Sequence, residues 1–309
     1  MDGILNINKP RGKTSFGIVS IVRRLLGESR VGHAGTLDPA ATGVLPVCLG
    51  QGTRIVEFLV NTTKTYRAEI ELGVTTDTYD ADGQIVDRKD CSGISLEQLT
   101  TTLSTFCGLI PQTPPMYSAL KHHGKPLYQL ARAGLTVERG SRLTSVHSLK
   151  LIYWQPPVAT IEVVCGKGTY IRSLAHDLGQ TLGCGAHLKN LLRSRCGMFD
   201  IRDAVSIPQF EDAVHGGYWQ HLAYPIDSVL LDLKAMVVND NARESIQHGR
   251  PFVLENSSQP EGCEHPEMPD AGGILAESRY RAYALDGCFL GVLRFNAERG
   301  QWQPEKVFR

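Results

Sequence analysis

The sequence predicts a mixed α+β protein of two parts, and three observations lead there. Strand-like and helix-like periodicities interleave along the chain without an internal repeat. The 309 residues, 42% hydrophobic and 21% charged, have ordinary globular composition, enough for one large domain and a small one. From about residue 233 the chain changes character, toward short strands and an acid-rich segment.

The elements follow in order. Ile4-Leu5-Asn6-Ile7 reads as a short strand, and Lys9-Pro10-Arg11-Gly12-Lys13 as a basic turn. Ser15 is placed to cap a helix with Phe16, Val19, Val22, Leu25 and Leu26 on one face, ending at Gly27. Residues 29–50, rich in Gly, Thr and Pro, predict an ordered loop with short strands. Thr65 to Leu72 alternates, with Tyr66, Ala68, Ile70 and Leu72 on one face and Arg67, Glu69 and Glu71 on the other. Ser95 and Gln98 form a capping box for a helix carrying Leu96, Leu99, Leu103 and Phe106. Residues 158–165 are a further strand. A helix from about Tyr170 to Leu182 turns Ile171, Leu174, Ala175, Leu178 and Leu182 inward. In the tail, Tyr280 to Leu285, Asp286-Gly287 and Cys288 to Phe295 predict a hairpin, because Asp-Gly supplies the positive φ angles of a tight turn.

The expected boundary lies at 232/233. Residues 1–234 carry 24 Lys+Arg against 21 Asp+Glu, and residues 235–309 carry 8 against 11. Five of those eleven acids fall in ENSSQPEGCEHPEMPDAGG, residues 255–273, which also holds three prolines and no Lys or Arg. Such a segment buries too little apolar surface to order itself, and it reads as a mobile insertion.

The eight cysteines include no C-x-x-C pair, so free thiols in a reducing compartment are expected. Cys263-Glu264-His265 has no second ligand pair to complete a zinc site, and no metal is expected. The sequence has neither a basic, apolar leader nor a stretch approaching a bilayer span. A cytoplasmic protein is expected.

Several segments could carry chemistry. Gly12-Lys13-Thr14 between a strand and a helix resembles the end of a phosphate loop. The template, however, places its first glycine at Ile7, and Pro10 removes an N–H the cradle needs. The alternative is a basic turn that touches an RNA phosphate through Lys9 or Lys13. Residues 32–46, GHAGTLDPAATGVLP, put one carboxylate, Asp38, in a loop stiffened by Pro39. A turn-capping role for Asp38 is the alternative. In Lys167-Gly168-Thr169-Tyr170-Ile171-Arg172, the arginine at a helix start either pairs with a buried carboxylate or lies on the surface. Residues 119–150 hold Lys121, Lys125, Arg132, Arg139, Arg142 and Lys150 against Glu138 alone, with Tyr117, Tyr128, His122, His123 and His147 in or beside the stretch. Basic residues interleaved with aromatics suit an RNA backbone and unstacked bases, and the RNA-contacting segment is set at about 114–150. Lys189, Arg193 and Arg195 form a further basic run.

Taken together, these motifs resemble the TruB family of tRNA pseudouridine synthases. The resemblance is carried by NKPRGKTS at 8–15, GHAGTLDPAATGVLP at 32–46, KTYRAEIELG at 64–73 and DTYDADG at 77–83. It continues through PPMYSALKHHGKPLYQLAR at 114–132, KGTYIRSLAHDLG at 167–179 and CGAHLKNLLR at 184–193, spanning nearly all of residues 1–230. It implies a central, mostly antiparallel sheet flanked by helices, followed by a small PUA-like RNA-binding β-barrel, to which the tail bears a weaker likeness. It implies isomerisation of a uridine to pseudouridine in the T-arm loop of tRNA (uridine-55), with no cofactor. Carried over residue by residue, Asp38 is the catalytic group. His33 engages the flipped-out nucleotide, Tyr66 stacks on the target base, Tyr170 and Arg172 form the T-Y-I-R pair with Arg172 on the aspartate, and Leu191 lines the base pocket. Lys9, Lys13, Lys121, Lys125, Arg132 and Arg193 are expected to meet RNA, and the protein to act as a monomer. A non-catalytic tRNA-binding or folding protein is the alternative, and the complete set of Asp38, Tyr66 and Arg172 argues against it.

Overall fold

The strands expected at 65–72 and 158–165 form the middle of a large sheet in the computed structural model, which describes residues 1–254 and 279–309. Across it lie Gly3–Lys9, Thr42–Leu49, Ala186–Cys196, Lys64–Leu72, Val158–Cys165, Arg142–Gln155 and Gly108–Gln112, in that order. Lys64–Leu72 runs antiparallel to both neighbours, with Tyr66 opposite Arg193 on one side and Val163 on the other. The Thr42–Leu49 strand meets Ala186–Cys196 in parallel, so the sheet is mixed but mostly antiparallel.

Two apolar cores cover this sheet. One gathers Ala68, Ile70 and Leu72 with Leu99, Leu103 and the inward face of the Ile171–Thr181 helix. The other gathers Leu5, Ile7, Val19, Val22, Leu45, Val47 and Phe210. Tyr66 and Leu191 pack against both, which places them at the seam.

The periodic elements fall close to their expected bounds, and the differences lie at their ends. The first helix spans Ser15–Leu26, but its cap is Thr14, whose hydroxyl accepts from the Gly17 amide. Ser15 instead turns inward, exchanging hydrogen bonds with Leu37. The buried face runs through Ser15, Ile18, Val19 and Val22, so Phe16 is 62% exposed rather than part of it. The Leu96–Ser104 helix is capped by Ser95, which accepts from the Gln98 amide, while Leu96 stays exposed.

The chain divides into two compact units, Ile4–Ala223 and Tyr224–Arg309 together with Met1–Gly3. This division lies upstream of the boundary expected at 232/233. The intervening residues are held within the smaller unit: Tyr283 donates its hydroxyl to Asp227, and Arg281 donates to the Leu233 carbonyl. In that unit Lys234–Val238 pairs in parallel with Arg279–Ala284, which forms the expected hairpin with Phe289–Asn296, and Gln301–Val307 completes four strands. Gly287 takes the positive φ, 80°, that the turn requires. Met236, Val238, Ile246, Leu290, Leu293 and Trp302 form its core. A barrel was expected; among the described residues one further bridge, Phe252 to Trp302, extends the sheet without closing it. The insertion read at 255–273 and Cys263-Glu264-His265 lie outside the described residues.

Candidate active site

Asp38 sits in a loop between two strands, Val31–His33 and Thr42–Leu49, and nearly every residue of that loop is tied down. Leu37 is held by Ser15. The Asp38 carbonyl accepts from the Ala41 amide at 3.1 Å. The Pro39 carbonyl accepts from the Gly12 amide at 2.8 Å and from Lys9 Nζ at 3.2 Å. Arg193 donates from Nη2 to the Gly35 carbonyl at 3.0 Å and from Nε to the Val44 carbonyl at 2.7 Å. Gly43, at φ 104°, passes so near the Arg193 carbonyl that an added Cβ would stand 2.2 Å from its oxygen, so only glycine fits there. A loop pinned at this density holds its carboxylate without help from a ligand.

The carboxylate meets Arg172 in a forked pair. Arg172 Nε lies 2.9 Å from Asp38 Oδ2, and Nη2 donates to Oδ1 at 3.0 Å. The same guanidinium donates to the Tyr117 carbonyl at 2.8 Å and reaches Asp80 Oδ2 at 3.5 Å through Nη1. Arg172 is 5% exposed and so serves two acids and a carbonyl at once, while the Asp38 side chain keeps 37% exposure on its open side. Burial pushes the Asp38 pKa up; the Arg172 guanidinium opposes it, and the nearby Asp80 carboxylate adds to the rise. The open side faces a shallow cleft lined by Asp38, Asp80, Arg172, Leu188, Asn190 and Leu191, among others.

The remaining expected residues divide by location. Tyr66 lies beside Leu191 at the core seam, and burial pushes its hydroxyl up to about 12, so the phenol is neutral. Tyr170 caps the arginine-bearing helix, and its backbone N–H and C=O are both held by the buried Gln112 amide, at 2.7 and 2.9 Å. His33 is partly buried, with its pKa lowered by that burial and by Arg193, and its Nδ1 has no hydrogen-bond partner. Lys13, Lys121, Lys125 and Arg132 are exposed.

Lys9 and Arg193 were expected at the RNA surface, and here the expectation needs correction. Lys9 is 0% and Arg193 1% exposed. Lys9 Nζ donates to three carbonyls, Pro10, Lys13 and Pro39, which uses all the donors an ammonium has. Their charges serve the loop from inside. The phosphate-loop reading fails for a related reason, since the Gly12 amide and the Lys13 carbonyl are already engaged.

Two positioning groups were not singled out from the sequence, Asp80 and Gln112. Asp80 lies in DTYDADG, so a signal was present in an acid-rich turn directly after a strand. Gln112 carries no such signal, because its partners are backbone atoms 58 residues away. Among the described residues, no group of three or more His, Cys, Asp or Glu is arranged to hold a metal.

Comparison with known proteins agrees with this geometry. The N-terminal domain model of the TruB family of pseudouridylate synthases matches residues 23–171, and a tRNA pseudouridylate synthase B C-terminal domain model matches residues 172–238. A tRNA pseudouridine synthase B of Dehalococcoides mccartyi is 42% identical over 308 residues, covering 100% of this chain and 97% of its own. The chain belongs to the TruB family. The enzyme of the same name from Geobacillus thermodenitrificans is 43% identical, with full coverage of both chains. Among solved structures, a Cbf5-Nop10-Gar1 complex aligns over 99% of this chain and 85% of the matched one, with a TM-score of 0.73 at 24% identity, which shows the shared fold. As a TruB-family pseudouridine synthase, the chain isomerises uridine to pseudouridine.

Proposed function

We propose that this TruB-family enzyme acts on the T-arm loop of tRNA, at uridine-55, with Asp38 as the reacting carboxylate. The observation that carries the reading is the forked Asp38–Arg172 pair, whose carboxylate stays open to a cleft lined also by Asp80 and Leu191.

The chemistry fits those groups. Isomerisation breaks the N1–C1′ bond of the nucleoside and forms C5–C1′; N1 gains a hydrogen and C5 loses one, so no net oxidation occurs. A carboxylate near sugar and base, as nucleophile or base, is the group this requires. A carboxylate forked to a buried arginine has to meet both the sugar and the base, so the uridine must swing out of its loop, which costs a few kcal/mol. Leu191 offers an apolar wall, the Tyr66 ring an aromatic face, and His33, at the end of the strand that leads into the Asp38 loop, a polar contact for the nucleotide. Tyr170 borders the arginine from the helix start. Lys13, Lys121, Lys125 and Arg132 stand free for phosphates. The reading extends to a cytoplasmic monomer that meets one tRNA at a time, which sedimentation of the protein with and without tRNA checks.

The deciding experiment uses full-length tRNA carrying tritium on C5 of its uridines. Wild type should release tritium with a stoichiometry of one per tRNA, and sequencing should place the product at uridine-55. Asp38→Asn keeps the shape of the side chain and should bind tRNA almost normally while releasing none. Turnover by Asp38→Asn near the wild-type rate, or product at another position, would defeat the reading.

A further inference from the structure

Among the described residues, two that are not glycine have a left-handed backbone, Tyr79 at φ 65° and His123 at φ 47°. His123 is explained by its place in the tight turn between Lys121–His122 and Lys125–Pro126. Tyr79 lies in the longer loop, residues 77–84, that joins Val74–Thr76 to its antiparallel partner Ile85–Arg88, where no two-residue turn demands a positive φ. An aromatic residue in this sparsely populated region persists only where its surroundings over-determine it, and such residues gather at functional sites.

The ring explains the backbone. Tyr79 lies flat against the His176 imidazole, with centroids 3.8 Å apart and planes inclined by 14°. Tyr79 directly precedes Asp80, and His176 stands one helical turn after Arg172 on the Ile171–Thr181 helix. Two successive loop residues therefore meet two successive turns of the helix, Asp80 on Arg172 at 3.5 Å and Tyr79 on His176. We infer that the Tyr79–His176 stack is a positioning clamp, which sets the distance of Asp80 from Arg172 and so the orientation of the guanidinium that forks Asp38. The inference rests on the pseudouridine-forming reading of that fork.

The rest of the loop is secured elsewhere. The Leu188 amide donates to the Tyr79 carbonyl at 2.9 Å, and the Ala81 amide to the Leu188 carbonyl at 3.0 Å. Thr76 donates its hydroxyl to the Asp80 carbonyl, and Thr78 donates to the Asp80 carboxylate. These bonds make the loop one rigid piece on the Ala186–Cys196 strand. Toward the helix it reaches through the ion pair and the ring stack. Asp80 Oδ2 at 3.5 Å from the guanidinium is a loose contact that a small drift of the loop would break. His176 has a buried Nδ1 without a hydrogen-bond partner, and burial lowers its pKa, so it stacks as a neutral ring and adds no second cation beside Arg172.

The test compares Tyr79→Gly, Tyr79→Phe, His176→Ala and His176→Phe by single-turnover tritium release at saturating tRNA, with tRNA affinity and thermal melting measured alongside. Glycine is at ease at φ 65°, so Tyr79→Gly should fold with little change in melting temperature while losing the stack. Tyr79→Gly and His176→Ala should slow the chemical step by roughly tenfold or more, since a misplacement well under 1 Å costs rate without costing affinity. The two phenylalanine variants keep ring against ring and should stay within about twofold of wild type. A wild-type rate for Tyr79→Gly overturns the clamp, as do phenylalanine variants as slow as the truncations. Failure of wild type itself to release tritium overturns the functional reading and the clamp with it, so the two failures are told apart.

Discussion

Lys9 and Arg193 stand in the same molecule as Lys121, Lys125 and Arg132, yet they use their charges in opposite ways. The first two are enclosed, and their heads are spent on carbonyl oxygens of the loops around Asp38. The other three sit on a hairpin and short helix, Lys121–His122, Lys125–Pro126 and Leu127–Arg132, with heads in solvent. His123 and Gly124 both take positive φ, 47° and 83°, which makes the tight turn that projects this tip. Arg132 packs over Tyr128 at 5.6 Å, leaving a flat basic and aromatic surface. A positive charge inside the enzyme builds the site, whereas one outside is available to a polyanion.

Arg172 belongs with the buried set and gives the largest expected effect. Arg172→Met leaves Asp38 and Asp80 facing one another without the cation between them. Arg172 holds the Asp38 pKa down against burial, so its loss raises that pKa further. The fraction of ionised Asp38 then falls at a given pH. The acid limb of the rate profile should shift to higher pH, with activity down by orders of magnitude near neutrality and partly recovered on raising pH. Arg172→Lys should rescue poorly, because an ammonium lacks the planar fork that meets both carboxylate oxygens. An unshifted profile in Arg172→Met would separate Arg172 from the chemistry.

The exposed set should respond in binding rather than in the chemical step. Charge reversal at Lys121, Lys125 and Arg132 should weaken tRNA affinity and lower the slope of log affinity against log salt by roughly one unit per lost phosphate contact. The rate at saturating tRNA should hold. Reversal that instead abolishes the saturated rate with an unchanged slope would erase the distinction between the two regions.

How much of this was legible beforehand depends on the range of the interaction. The strands at Lys64–Leu72 and Val158–Cys165 and the helix at Ile171–Thr181 follow from alternation and 3.6-residue periodicity, which are local. The helix start was off by one residue because Thr14 and Ser15 can both cap, and tertiary contact with Leu37 decides between them. The Asp38–Arg172 pair spans 134 residues and was reached through motif resemblance, with local pattern leaving it even. The burial of Lys9 and Arg193 was not legible at all. Beside two local carbonyls Lys9 meets that of Pro39, 30 residues away, and Arg193 meets those of Val44 and Gly35, 149 and 158 away, and a carbonyl leaves no trace in residue type. A basic run therefore reads alike whether it faces RNA or a loop.

The smallest expected effect is the one that titrates the buried set directly. Burial lowers the Lys9 pKa to about 8, against 10.5 for an ordinary lysine, with Asp38 opposing and Arg193 adding to the fall. Between these two values the unfolded chain holds more protons at this residue than the folded one. Stability contributed by Lys9 therefore rises as pH increases from about 8 toward 10.5, since the slope has the sign of protons bound unfolded minus folded. At neutral pH the ammonium is enclosed at a cost that its three carbonyl partners offset. Lys9→Met has no such titration, though it leaves those carbonyls short of a donor at every pH. The difference in melting temperature between wild type and Lys9→Met should consequently widen by a few degrees across that range. Lys121→Met, removing a head that already lies in water, should show no comparable widening. A flat difference for Lys9→Met would mean that its ammonium is solvated as fully as one on the hairpin, and the contrast between inner and outer cations would lose its electrostatic basis.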